Sequence, residues 1–155
     1  MRNELPGLRA DVKYELDNLL RLLVEWKKIK ESKDSLAFVE SRAIGSILHD
    51  FYSGIEKIFK RIAVTIDRSL PEGDDWHIQL LNRMAIKIDG IRPEIISEEL
   101  KNKLGEYLGF RHVFRNIYGF ELSLERTKFL AESLENTYKN FKEAIDKFES
   151  FLSKL

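Results

Sequence analysis

Apolar residues recur every three or four positions along most of this chain, the period of a helix with one buried face. The first such stripe, Val12, Leu16, Leu19, Leu23 and Trp26, predicts helix one over Leu8–Glu31. A second, Ile44, Ile47, Phe51, Ile55, Ile58, Ile62 and Ile66 flanked by Leu48 and Phe59, predicts helix two over Leu36–Ser69, with Asp34 or Ser35 as its cap. Leu70-Pro71-Glu72-Gly73 ends that helix, and Asp74 or Asp75 caps a short helix three over Trp76–Ile88. Gly90 and Arg92-Pro93 open a loop. Ser97, followed by Glu98 and Glu99, starts helix four, because acids in a first turn suit the helix dipole. Helix four ends near Tyr118 or Gly119, with Phe110, Val113, Phe114 and Ile117 as its apolar face. Helix five starts at Ser123 and runs unbroken to the C-terminus along Leu130, Leu134, Tyr138, Phe141, Ile145, Phe148 and Leu152. Long helices and short loops predict an all-α fold, an antiparallel up-and-down bundle of four principal helices plus one short helix.

Composition narrows this only slightly. A chain of 155 residues suits a single domain over 1–155 that folds on its own core. Cysteine is absent, which removes disulfides and thiolate metal sites. Basic and acidic residues balance at 26 each, against a protein that coats long nucleic acid but not against a local phosphate pocket. No apolar run approaches membrane-spanning length, and the N-terminal segment has no apolar block of a signal peptide, so the expected location is the cytoplasm.

Candidate chemistry concentrates in Arg111–Leu122, RHVFRNIYGFEL. Arg111, Arg115 and Tyr118 share one helical stripe; His112, Arg115, Asn116 and Gly119 share the next. Two guanidiniums, an imidazole and a carboxamide on adjoining stripes are suited to holding a phosphate and moving a proton. The bland alternative is a solvated helix face with Gly119 as C-terminal cap. Glycine and asparagine at positions 109, 116 and 119 weaken the helix, which points to close approach or special geometry there. On helix two, His49, Tyr52 and Glu56 fall on one face; Glu56 is placed to orient an arginine across the bundle, and the plainer reading of the three is a structural ion pair or ordinary boundary positions. His77, at the start of helix three, reads as a packed or capping histidine. Three histidines without HxxxH spacing give no metal site, and no cofactor motif is present.

The segment RHVFRNIYGFEL, preceded in order by FYSGIEKIF, DWH and RPEIISEEL, resembles the HepT-like ribonuclease toxins of the HEPN superfamily from about Val39 onward. The resemblance implies a helical bundle, a homodimer with arginine and histidine near the dimer cleft, and a nucleotidyltransferase-type antitoxin as partner. In that group a motif of arginine, often a polar residue, then a histidine four to six positions later cleaves RNA without metal. Here Arg115-Asn116 matches the first two positions, and His112 precedes Arg115 rather than following it. Tyr118 resembles, at a different spacing, a tyrosine near that motif that is open to modification or partner contact. The expected activity is therefore a metal-independent endoribonuclease working by 2′-hydroxyl attack. Arg115 and Arg111 stabilise the charged phosphorane, His112 moves the proton, Asn116 orients, and Glu56, Tyr52 and His49 support. The rival reading is a non-catalytic helical module that binds a partner nucleotidyltransferase through Arg111, Arg115 and Tyr118.

Overall fold

The computed structural model describes residues 2–32, 37–118 and 123–155, with the side chains of 37 and 38 left aside. The expected caps Asp34 and Ser35, the glycine cap Gly119 and the segment 119–122 lie outside the described residues. The described elements are helices: α1 (Leu5–Glu31), α2 (Ala37–Ile62), α3 (Trp76–Met84), α4 (Glu98–Asn116), α5 (Leu124–Glu132) and α6 (Leu134–Leu152). A short 3₁₀ turn precedes α1, and a π-turn over Ala63–Asp67 extends α2.

Cross-helix pairs give the direction of each helix. Arg61 pairs with Asp11, so α1 and α2 run antiparallel. Arg9 with Glu149 and Lys27 with Glu135 set α6 antiparallel to α1. His49 on Phe114, and Glu56 on Arg111, set α4 antiparallel to α2. The bundle is thus all-α and up-and-down, with α1, α2, α4 and α6 as its four long members. The expected stripes of helices one, two and five are all buried. At Gly54 an added Cβ would come within 2.9 Å of Leu19 Cδ2, so α1 and α2 meet there over a residue without a side chain.

Four expectations change. Helix three stops at Met84, because Met84 O accepts from Ile95 and Ile96 N, and a tight turn follows in which Ile88 and Arg92 bond each other's backbone across Gly90 (φ +76°). Helix two gives way to a π-turn at Ala63, which closes on Arg68 in the left-handed region (φ 58°). Helix five breaks at Ser133, whose hydroxyl donates to Leu130 O while Thr137 Oγ1 donates back to Ser133 O. The Tyr107 phenol fills that break, 3.1 Å from Leu130 O, 2.8 Å from Ser133 Oγ and 3.3 Å from Thr137 Oγ1. The apolar face of α4 also differs. Its buried positions are Leu100, Leu104, Tyr107 and Arg111, whereas Phe110, Phe114 and Ile117 are half-buried and Val113 is 49% exposed. A rotation of about one residue separates the two faces, and an arginine ends the core stripe.

Burial holds the phenols of Tyr107 and Tyr52 above their ordinary pKa of 10.0; for Tyr52 the nearby Glu56 carboxylate adds to this and Arg111 opposes it. A folded-state value above the unfolded one stabilises the fold fully below pH 10 and loses that contribution as pH rises through the folded values. In an alkaline titration, phenolate absorbance from these two tyrosines should appear together with loss of helical circular dichroism. Full ionisation near pH 10 with helix content intact would contradict their burial.

Candidate functional site

The site is built where the middle of α2, the start of α3 and the last turns of α4 converge. Ser97 caps α4 by accepting from Leu100 N (3.0 Å), and Glu98 and Glu99 occupy its first turn as expected. The helix then runs to Asn116, whose carboxamide donates to His112 O (2.6 Å) and satisfies a carbonyl of the final turn. α3 starts at Trp76 without a side-chain cap; Asp75 instead accepts from the Gln79 carboxamide one turn on.

Arg111 and Glu56 form the buried centre, with side chains 7% and 8% exposed. The guanidinium meets both carboxylate oxygens at 3.2 Å in a fork, and Nη1 also donates to Ser53 Oγ. The Tyr52 ring lies against it, 5.2 Å from the guanidinium carbon, with the phenol oxygen buried and unbonded among the described residues. Glu56 orients an arginine across the bundle, as its position on helix two implies. Arg111 lies too deep for the free flank expected of it.

His77 completes this centre, contrary to the sequence reading of a merely packed or capping residue. Its Nδ1 is 2.7 Å from Glu56 Oε2 and 2.8 Å from Arg111 Nη2. A neutral ring donates to the carboxylate or accepts from the guanidinium through that nitrogen, never both. The Trp76 ring stacks on the imidazole at 3.7 Å, and Lys60 covers Trp76. Nothing in the local sequence marks this role except the DWH tripeptide itself, since both partners are distant in the chain.

An open cleft of about 630 Å³ lies over the centre, and Asp74, Asp75, His77, Gly109, Arg111, His112, Arg115 and Asn116 are among its lining residues. His112 and Arg115 are exposed on it, with no ion pair among the described residues. Arg115, a cation in the last turn of the helix, also suits its dipole. Gly109 is open, since an added Cβ would meet nothing within 4 Å, so the expectation of a close approach there is corrected. His49 stands apart, against Phe114 and Asp50 and outside the cleft lining. Tyr118 is exposed just beyond the end of α4. The arrangement can hold an anion on Arg115 and move protons on two imidazoles. Among the described residues, no cluster of three or more His, Asp and Glu has metal-site geometry, and no helix is long and apolar enough to cross a membrane.

Two curated relatives from Escherichia coli (strain K12) are similar to this chain. A DNA-packaging protein NU1 homolog is 26% identical over 97 residues, covering 58% of this chain and 54% of that protein. The prophage DNA-packing protein NohA is 25% identical over 114 residues, covering 63% and 60%. The chain thus spans little more than half the length of the curated relatives it matches. No solved structure matches the chain significantly. A family profile described as HepT-like protein matches residues 43–152, the stretch that carries the buried centre and the cleft. The chain therefore belongs to the HepT-like protein family of the HEPN superfamily.

Proposed function

We propose that this HepT-like protein is the toxin of a toxin–antitoxin pair and cleaves RNA without a metal ion, by attack of a 2′-hydroxyl on the adjacent phosphate. The observation that supports this reading is the cleft in which His112, Arg115 and Asn116 lie beside a carboxylate-held histidine. Arg115 holds the negative charge of the phosphorane, and His112 exchanges a proton with the reacting oxygens. Arg111 keeps Glu56 and the α2–α4 seam in place, because both of its terminal nitrogens are engaged by the Glu56 carboxylate. A homodimer sets two such clefts near one another, and a nucleotidyltransferase-type antitoxin silences them. The balance of 26 basic and 26 acidic residues fits this local grip better than the extended DNA contact that the relatives' names bring to mind.

Purified protein should cut labelled RNA in the presence of a strong chelator and leave cyclic phosphate and 5′-hydroxyl ends. His112→Ala and Arg115→Ala should each lower the rate, the former by about 10²- to 10⁴-fold. Wild-type rates from a folded His112→Ala protein would remove His112 from the mechanism, and absence of any cleavage would defeat the ribonuclease reading. The second reading is a non-catalytic module for a partner nucleotidyltransferase. It is favoured by the apolar groove between α4 and α5, where Val113 and the 73%-exposed Phe129 sit. Stable binding of that enzyme without RNA cleavage, lost in Phe129→Asp, would select it.

A further inference from the structure

We infer that His77 is a catalytic residue of this cleft: the general base that takes the 2′-hydroxyl proton, held in its tautomer by the positioning residue Glu56. The inference rests on the ribonuclease reading and adds a group from α3, a helix outside the arginine-rich segment.

Two groups meet Nδ1 of His77, Glu56 Oε2 at 2.7 Å and Arg111 Nη2 at 2.8 Å, so the tautomer turns on which of them the ring serves. Arg111 has both oxygens of Glu56 and the Ser53 hydroxyl as acceptors without the imidazole. The Glu56 carboxylate is 2.7 Å from Nδ1 and is the charged acceptor that draws the ring hydrogen to that nitrogen. The neutral ring then carries its lone pair on Nε2. No protein group bonds Nε2 among the described residues, and the side chain, 31% exposed, lines the cleft. Stacking on Trp76, itself covered by Lys60, fixes the plane of the ring. A histidine backed by a buried carboxylate, clamped in plane and bare on its outer nitrogen has the construction of a general base. His112 has none of these supports. It is exposed on the same cleft, beside Arg115, and is free to carry a proton.

Cleavage of the RNA phosphodiester by 2′-attack needs both roles. The O2′–P bond forms as Nε2 of His77 takes the O2′ proton. The P–O5′ bond breaks as protonated His112 gives its proton to O5′. The products are a 2′,3′-cyclic phosphate and a 5′-hydroxyl, and exchange with water returns His77 to neutral and His112 to its protonated form. The charged groups that face His77 are Glu56 from α2, Arg111, His112 and Arg115 from α4, and Asp74 and Asp75 from the preceding loop; Lys60 lies behind Trp76.

The test combines kinetics with a measurement on the wild type. In chelator, His77→Gln retains a side-chain donor toward Glu56 and should stay folded by circular dichroism. Its cleavage should fall about 10²- to 10⁴-fold, and the low-pH limb of the wild-type rate profile should vanish. Added imidazole should partly restore His77→Ala. Independently of activity, ¹⁵N ring shifts of neutral His77 in the wild type should show the hydrogen on Nδ1. A hydrogen on Nε2, or a His77→Gln protein that cuts at the wild-type rate while the wild type is active, overturns the role of His77 and leaves the ribonuclease reading standing. A wild type that cuts no RNA overturns both.

Discussion

Arg111→Met should destabilise the protein by about 3–5 kcal/mol, the cost of removing one partner from a buried ion pair. Without the guanidinium a buried carboxylate stands largely uncompensated. Both oxygens of Glu56 lose a donor, and the carboxylate keeps only His77 in a site where its side chain is 8% exposed. The Tyr52 ring also loses the cation packed on its face. Unfolding by urea would report this as a lower midpoint at unchanged slope. The double variant Glu56→Gln with Arg111→Met removes the stranded charge and should recover a large part of the loss. That recovery separates a charge effect from a packing effect, because methionine fills the same volume in both variants. A single Arg111→Met protein within about 1 kcal/mol of wild type would show that the pair is not a structural keystone. Arg111→Lys should fall between the two, since an ammonium cannot reproduce the fork.

The second large effect is expected at Arg92. Its side chain is fully buried and grips Asp67, whose side chain is 2% exposed, through Nε at 2.6 Å and Nη2 at 2.9 Å. The same guanidinium donates to the carbonyls of Ile86 and Pro93 and reaches that of Arg83. One side chain therefore ties the π-turn after α2 to the end of α3 and to the turn that leads into α4. Arg92→Ala strands a carboxylate and several carbonyls at once, and a loss of at least about 3–5 kcal/mol is expected. Asp67→Asn keeps one acceptor and should cost less. Arg92 lies outside the cleft lining, so the proposed RNA cleavage, per folded molecule, should match that of the wild type while the melting temperature falls. A thermal scan of Arg92→Ala that matches wild type would refute the bracing role.

These two arginines show where reading by hydrophobic period reaches its limit. Apolar spacing alone marks Val12 to Trp26, Ile44 to Ile66 and Leu130 to Leu152, and all of these stripes lie in the core. On α4 the same spacing marks Phe110, Val113, Phe114 and Ile117 and leaves out Arg111, because a charged residue has no place in an apolar stripe. The burial of Arg111 is possible only because Glu56, 55 residues earlier, meets it across the seam. By order along the chain, Arg115-Asn116 matches the arginine and polar positions of the HEPN pattern, and burial separates the two arginines, with Arg111 held on the Glu56 carboxylate and Arg115 exposed on the cleft. The break at Ser133 was likewise silent, since the apolar stripe continues through it and the Tyr107 phenol that fills it comes from another helix.

The sequence by itself determined the all-α class, three of the four long core stripes, the caps at Ser97 and Ser123, and the family resemblance that the profile match to residues 43–152 bears out. All of these are encoded within a few turns of chain, where spacing and side-chain type act directly on the local backbone. Only the tertiary structure decided which arginine is buried, that His77 shares a carboxylate with it, and that Arg92 braces Asp67. Those pairings join residues 21 to 55 positions apart. A buried charge is tolerated only where its partner arrives, and that arrival is a property of helix packing rather than of any local segment.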